Sequence, residues 1–147
     1  MDGIYGCYNL GGIEGIRNKY PVVKAEGGEL ALIPFSSDIK LNCMIRDMNI
    51  EEKNPIDADN NMFVYLKGAP ERVLNRCSTV LIDGKDVPFN SKMKFAADSA
   101  NESFGGVGER VLAFARIKLD PKIFTKSPAY PFDVKNWKTW REVKSFD

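Results

Sequence analysis

Asp83 and Gly84 separate two short runs, "STVLI" and "KDVPF", and no other dipeptide restricts the folding of this chain so tightly. A type I′ turn needs left-handed backbone at both central residues, which Asp and Gly tolerate, and its twist matches that of the strands it joins. The pair therefore predicts a hairpin of strands over 79–82 and 85–87. In "FVYLKGAPERVLNRC", residues 63–77, an aromatic and β-branched run ends on Lys67 and Gly68. Pro70 then stands where a first helical residue needs no amide hydrogen. The reading is a buried strand over 62–66 leading into a helix that points Val73, Leu74 and Cys77 inward.

The remaining elements follow from periodicity and breakers. Residues 11–20 carry a short helical pattern from Ile13 and Ile16 toward Tyr20, ended by Pro21. "LALIPF" at 30–35 reads as extended, with Pro34 at a strand edge or end. "KLNCMIR" at 40–46 places Leu41, Cys43 and Ile45 on one face, and its simplest partner is 62–67, across an exposed polar loop at 47–61. Asn90 or Ser91 caps a helix over 90–106 with a buried stripe of Met93, Ala96 or Ala97, Ala100 and Phe104. Gly105 and Gly106 stop it, one of them left-handed. "RVLAFARIKL" at 110–119 is a strand with Val111, Ala113, Ala115, Ile117 and Leu119 on one face and Leu112, Phe114, Arg116 and Lys118 on the other. Residues 120–147 read as an irregular C-terminal segment. The sum is a single α/β domain over 1–147, a mainly antiparallel sheet flanked by helices.

Composition bears on function by exclusion. The chain has no histidine, which removes His-based acid–base chemistry, Ser/His/Asp and Cys/His nucleophilic sites and most zinc sites. A formal net charge of +1, from 21 basic and 20 acidic residues, gives no electrostatic basis for binding nucleic acid or an anionic membrane. Cys7, Cys43 and Cys77 are odd in number and irregularly spaced, as thiols in a reducing compartment are.

Several residues suit a ligand as well as they suit a plain turn. A glycine at a strand end, such as Gly68, lets a flat ring approach the backbone without meeting a Cβ, and the ammonium of Lys67 can meet an anion. Phe35 reads either as an exposed ring or as a core contact, and Lys40 as a strand-edge charge or a second cation at the same ligand. Gly105 to Gly108 read as a helix stop and turn, after which Arg110 is either a surface residue or a fork donor to a phosphate. An aromatic ring, two lysines, a glycine and an arginine together suit an adenine ring with a charged tail.

"IPFSSDIK" at 33–40, "YLKGAPERVLNRCSTVLIDGK" at 65–85 and "GGVGERVLAFARIKL" at 105–119 occur in the order found in one family. They resemble the nucleotide-binding domain of P-type cation-transporting ATPases, most of all its sodium/potassium-transporting group. The resemblance implies that Phe35 stacks on adenine and that Lys40 lies near the base and phosphates. It also implies that Lys67 and Gly68 floor the adenine pocket, the glycine clearing room for the purine, and that Arg110 reaches the phosphates. Asn42 falls where related transporters often place a glutamine facing the nucleotide.

The implied ligand is ATP, with Mg²⁺ held mainly by a phosphorylation domain. The implied partners are the phosphorylation and actuator domains of the same full-length chain, with no nucleic acid and no direct membrane contact. The piece itself is expected to be a monomer on the cytoplasmic side of an integral membrane protein. The phosphorylated aspartate with its Lys-Thr-Gly-Thr context, the Thr-Gly-Asp and Gly-Asp-Gly motifs and the Asp-Pro-(Ser/Thr)-Glu region do not occur in the 147 residues. The expectation is an N-terminally shortened nucleotide-binding domain that binds ATP without hydrolysing it. The alternative is a degenerate nucleotide-binding fold serving as a structural or protein-interaction module.

Overall fold

The computed structural model describes residues 11–24, 28–48 and 62–120. Most of the expected 47–61 loop and nearly all of the C-terminal 120–147 segment lie outside them. In chain order the elements are α1 (Gly12–Lys19), β1 (Leu32–Ile33), β2 (Leu41–Asp47), β3 (Met62–Gly68) and α2 (Pro70–Val73). A 3₁₀ turn (Leu74–Arg76) follows, then β4 (Thr79–Ile82), β5 (Lys85–Pro88), α3 (Ser91–Gly106) and β6 (Ala113–Lys118). One sheet has the order β1-β2-β3-β6 and the other pairs β4 with β5. The expected neighbours β2 and β3 are thus adjacent. The chain divides into two units, one running up to Ile33 and taking in Met44–Tyr65 and the chain from Arg116, the other built from Pro34–Cys43 and Leu66–Ala115.

The first unit is organised around Ala31, Ile45, Met62 and Leu119, with Val23 and Val64 packed against them. Its backbone is tied at the same residues: the Val23 amide donates to the Ile45 carbonyl at 2.9 Å, Ala31 to Val23 at 2.7 Å, and Ile45 to Ala31 at 3.0 Å. Leu119 donates to Met62 at 2.9 Å. The residues that bury their side chains are thus also ones whose backbones are paired, and polar amides enter the core already bonded. Ile117 departs from the expected buried face of β6 and is largely exposed.

The second unit contains the hairpin. Asp83 (φ 48°) and Gly84 (φ 76°) are both left-handed, and β4 and β5 pair antiparallel from Thr79↔Pro88 to Ile82↔Lys85. The two-residue turn predicted from the dipeptide is present. α2 starts at Pro70 as expected, but it does not continue to Cys77. Three side chains turn back onto its carbonyls. Asn75 Nδ2 donates to the Glu71 carbonyl at 2.7 Å, an Arg76 guanidinium nitrogen to Arg72 at 2.8 Å, and Cys77 Sγ to Val73 at 3.3 Å. Each donor sits four residues beyond its acceptor, where the backbone has tightened to 3₁₀ bonding, with the Cys77 amide donating to Leu74 at 3.1 Å.

α3 has the expected cap, with Asn90 Oδ1 accepting from the Met93 amide at 3.0 Å. Its end differs from expectation. Gly105 and Gly106 stay helical, and the left-handed residue is Gly108 (φ 84°), which lets the Gly108 amide donate to Gly105 at 3.0 Å and that of Glu109 to Phe104 at 2.9 Å. The expected stripe is also displaced. Met93 and Ala97 are half-buried, while Ala96 and Ala100 are exposed and Phe104 is 53% exposed.

Two measurements check this account. Asn90→Ala should lower stability by about 1 kcal/mol in a urea titration, with Asn90→Ser close to the parent, because only the alanine leaves the Met93 amide uncapped. Burial moves the Cys43 thiol from the usual 9.0 to about 11. The folded state therefore holds its proton while the unfolded chain loses it, a stabilisation fully present below pH 9 and lost as pH rises toward 11. The urea midpoint should fall between pH 8 and pH 11, and Cys43→Ala should flatten that part of the profile.

Candidate functional site

All six residues singled out from the sequence, Phe35, Lys40, Asn42, Lys67, Gly68 and Arg110, belong to the second unit. Lys40 and Gly68 are in direct backbone contact. Residues 36–40 form a single turn in which the Lys40 amide donates to the Ser36 carbonyl at 2.8 Å and the Ile39 amide approaches Ser36 Oγ at 3.5 Å. Lys40 closes it in the left-handed region, at φ 54°. For a residue with a Cβ that conformation costs roughly 1–2 kcal/mol, so the surrounding structure has to hold it. The hold is the Ala69 amide, which donates to the Lys40 carbonyl at 2.9 Å.

Gly68 makes that bond reachable. It is buried at the end of β3, and a Cβ built on it would meet the Lys40 carbonyl oxygen at 2.4 Å and Leu41 Cα at 2.7 Å. The space left by the missing side chain is filled by the chain's own backbone. On the side where a Cβ would stand, the glycine leaves room for residues 40 and 41 of its own chain.

Alternation along β3 sends Gly68 inward and Lys67 outward. Alternation along β6 half-buries Ala113 and Ala115 and exposes Phe114, which is 70% accessible. The two outward side chains meet, with Lys67 Nζ 5.6 Å from the centroid of the Phe114 ring, within the range of a cation–π contact. Phe114 was not singled out from the sequence. Its position was legible in "RVLAFARIKL", where it falls with Arg116 and Lys118 on the face away from Ala113 and Ala115, but a single exposed ring is ordinary on a protein surface and marks nothing by itself.

Phe35 is an exposed ring, 63% accessible, and not a core contact. Arg110 is exposed on the approach to β6. Neither makes a hydrogen bond or ring contact among the described residues. Asn42 is half-buried within β2 and has a polar partner. The structure thus joins Lys40 to Gly68 and Lys67 to Phe114, and leaves Phe35 and Arg110 open to solvent. The set contains two exposed aromatic rings, Phe35 and Phe114, the second with Lys67 lying over it, and three cations, residue types that suit a flat base carrying an anionic tail. Among the described residues no group of three His, Cys, Asp or Glu side chains converges on a common point.

Comparison with known proteins points the same way. The chain is 38% identical over 130 residues to a sodium/potassium-transporting ATPase subunit alpha of Tetronarce californica, covering 87% of this chain and 11% of that protein. It is 38% identical over 118 residues to the human subunit alpha-3, covering 80% and 11%, and 34% identical over 135 residues to the rat subunit alpha-2, covering 90% and 12%. The chain therefore spans only about a tenth of the length of these relatives. Residues 6–143 match the family described as the P-type ATPase cytoplasmic domain N, and to that family this chain belongs.

Proposed function

We propose that this chain is an ATP-binding module, the part of a longer P-type ATPase that holds the nucleotide and presents its phosphates to an aspartate in a separate phosphorylation domain. The observation that carries the reading is the Lys67 ammonium resting on the exposed Phe114 ring, next in sequence to the Lys40–Gly68 contact. A base stacked on an open ring gains about 1–3 kcal/mol. Lys40, Lys67 and Arg110 supply positive charge for the tail, each worth roughly 0–1 kcal/mol in a solvated setting. Binding is then governed by the base and is weak, about −4 to −5 kcal/mol, or hundreds of micromolar to millimolar.

In the full-length chain, the proposed activity is transfer of the terminal phosphoryl group to that aspartate, coupled to cation transport across the membrane. Mg²⁺ would arrive with the nucleotide and supply charge neutralisation there. The phosphorylation and actuator domains are the proposed partners, and the module faces the cytoplasm. Among the described residues no helix is long and apolar enough to cross a membrane. With no histidine in the sequence, a His-based nucleophile–base pair is not available, and the piece is expected to bind ATP without turning it over. A second reading, an interaction module, is favoured by the exposure of Phe95, Phe104 and Val107 around α3.

Titration of labelled backbone amides with ATP distinguishes the two. The expected result is shifts at 35–42, 67–68, 110 and 114, and their absence at millimolar ATP would overturn the nucleotide reading in favour of the second. Phe35→Ala should weaken adenosine and ATP alike by about 1–3 kcal/mol. Arg110→Ala should weaken ATP by less than this and leave adenosine nearly unchanged. Equal loss of both ligands in Arg110→Ala would move that arginine to the base or the scaffold.

A further inference from the structure

We infer that Gly68 is a positioning residue for Lys40, acting on the nucleotide through the backbone of that lysine and not by giving space to the base. The inference rests on the nucleotide-binding reading above and assigns a different physical role within it. Of the three atoms nearest to a Cβ at position 68, two are backbone, the Lys40 carbonyl oxygen at 2.4 Å and Leu41 Cα at 2.7 Å, and the third is Leu41 Cβ at 2.8 Å. None of these can rotate away as the tip of a long side chain could. With any side chain at 68, the Lys40 carbonyl must retreat by about 1 Å to reach ordinary contact.

That carbonyl is the acceptor of the Ala69 amide, and Ala69 itself has little freedom. It sits at φ −61°, ψ 134°, directly before the buried Pro70 that opens α2, and a residue preceding proline is kept out of the helical region. On the other side, the Lys40 amide is held by Ser36. Lys40 is therefore fixed at both its N–H and its C=O in a backbone conformation it would not choose alone, φ 54°. The direction of its side chain follows from that conformation. Gly68 is what allows the second clamp to close.

The role predicts coupling between the two positions. With the 147-residue protein, Gly68→Ala and Lys40→Ala should each weaken ATP by about two- to fivefold, the range of a solvated ion pair. Adenosine should be nearly unaffected, and the double variant should be no weaker than Lys40→Ala alone. Backbone chemical shifts of residue 40 should leave their left-handed values in Gly68→Ala. Should that variant fail to fold, Lys40→Gly combined with Gly68→Ala should restore folding, because glycine at 40 can yield to the new methyl group.

Loss of adenosine binding in Gly68→Ala, multiplicative effects on ATP, unchanged shifts at residue 40, or no rescue by Lys40→Gly would each overturn the assignment. Absence of ATP binding by the parent protein would instead overturn the nucleotide reading. The shift and rescue measurements would still decide whether Gly68 sets the backbone of Lys40.

Discussion

The hydrogen bond from the Ala69 amide to the Lys40 carbonyl is the contact on which the candidate site depends. It joins the end of a strand to the start of another strand where both chains turn away from regular pairing. On one side Lys40 leaves a tight turn in left-handed backbone. On the other, β3 gives way within two residues to Pro70. Neither change of direction supplies its own stabilisation. A glycine brings them within reach, and one amide joins them.

From there outward the arrangement follows strand alternation. Once Gly68 points inward, Lys67 must point outward, and the same two-residue period places Phe114 outward on β6. The ring and the ammonium meet as a consequence of two strands being in one sheet and adjacent in its order. No separate loop is needed to present them. Side chains presented by strand ends are held more rigidly than those on free loops, and here the hold comes from the backbone groups of Lys40 and Ala69.

What the sequence made legible was local. Asp83-Gly84 specified its two-residue turn, because a I′ turn admits few other pairs, while the second strand runs one residue past the expected 85–87. Asn90 announced its cap, and the alternation of Cys43 and Ile45 was readable as a buried face of β2. The failures were of other kinds. α2 gives way to 3₁₀ bonding where Asn75, Arg76 and Cys77 turn back onto its carbonyls, and no periodicity reveals that choice of side-chain partner. The face of α3 was misjudged because helical spacing names a stripe without saying which stripe meets the protein. Gly68 was found, yet the approach of residues 40 and 41 to it was not, since a glycine in a string of letters does not tell which part of the chain will pass beside it. Phe114 went unnoticed because its significance lies in a neighbour 47 positions away, Lys67.

The Lys67–Phe114 contact also bears on how expensive recognition is. A lysine side chain free in water samples many rotamers, and immobilising it on a ligand forfeits that freedom, which opposes binding by roughly 0.5–1.5 kcal/mol. Lying over a ring, Lys67 has given up part of this freedom before any ligand arrives. The loss has been charged to folding instead of to association. On the nucleotide-binding proposal, a weakly bound ligand gains from such an arrangement because its small binding energy is not spent on ordering Lys67.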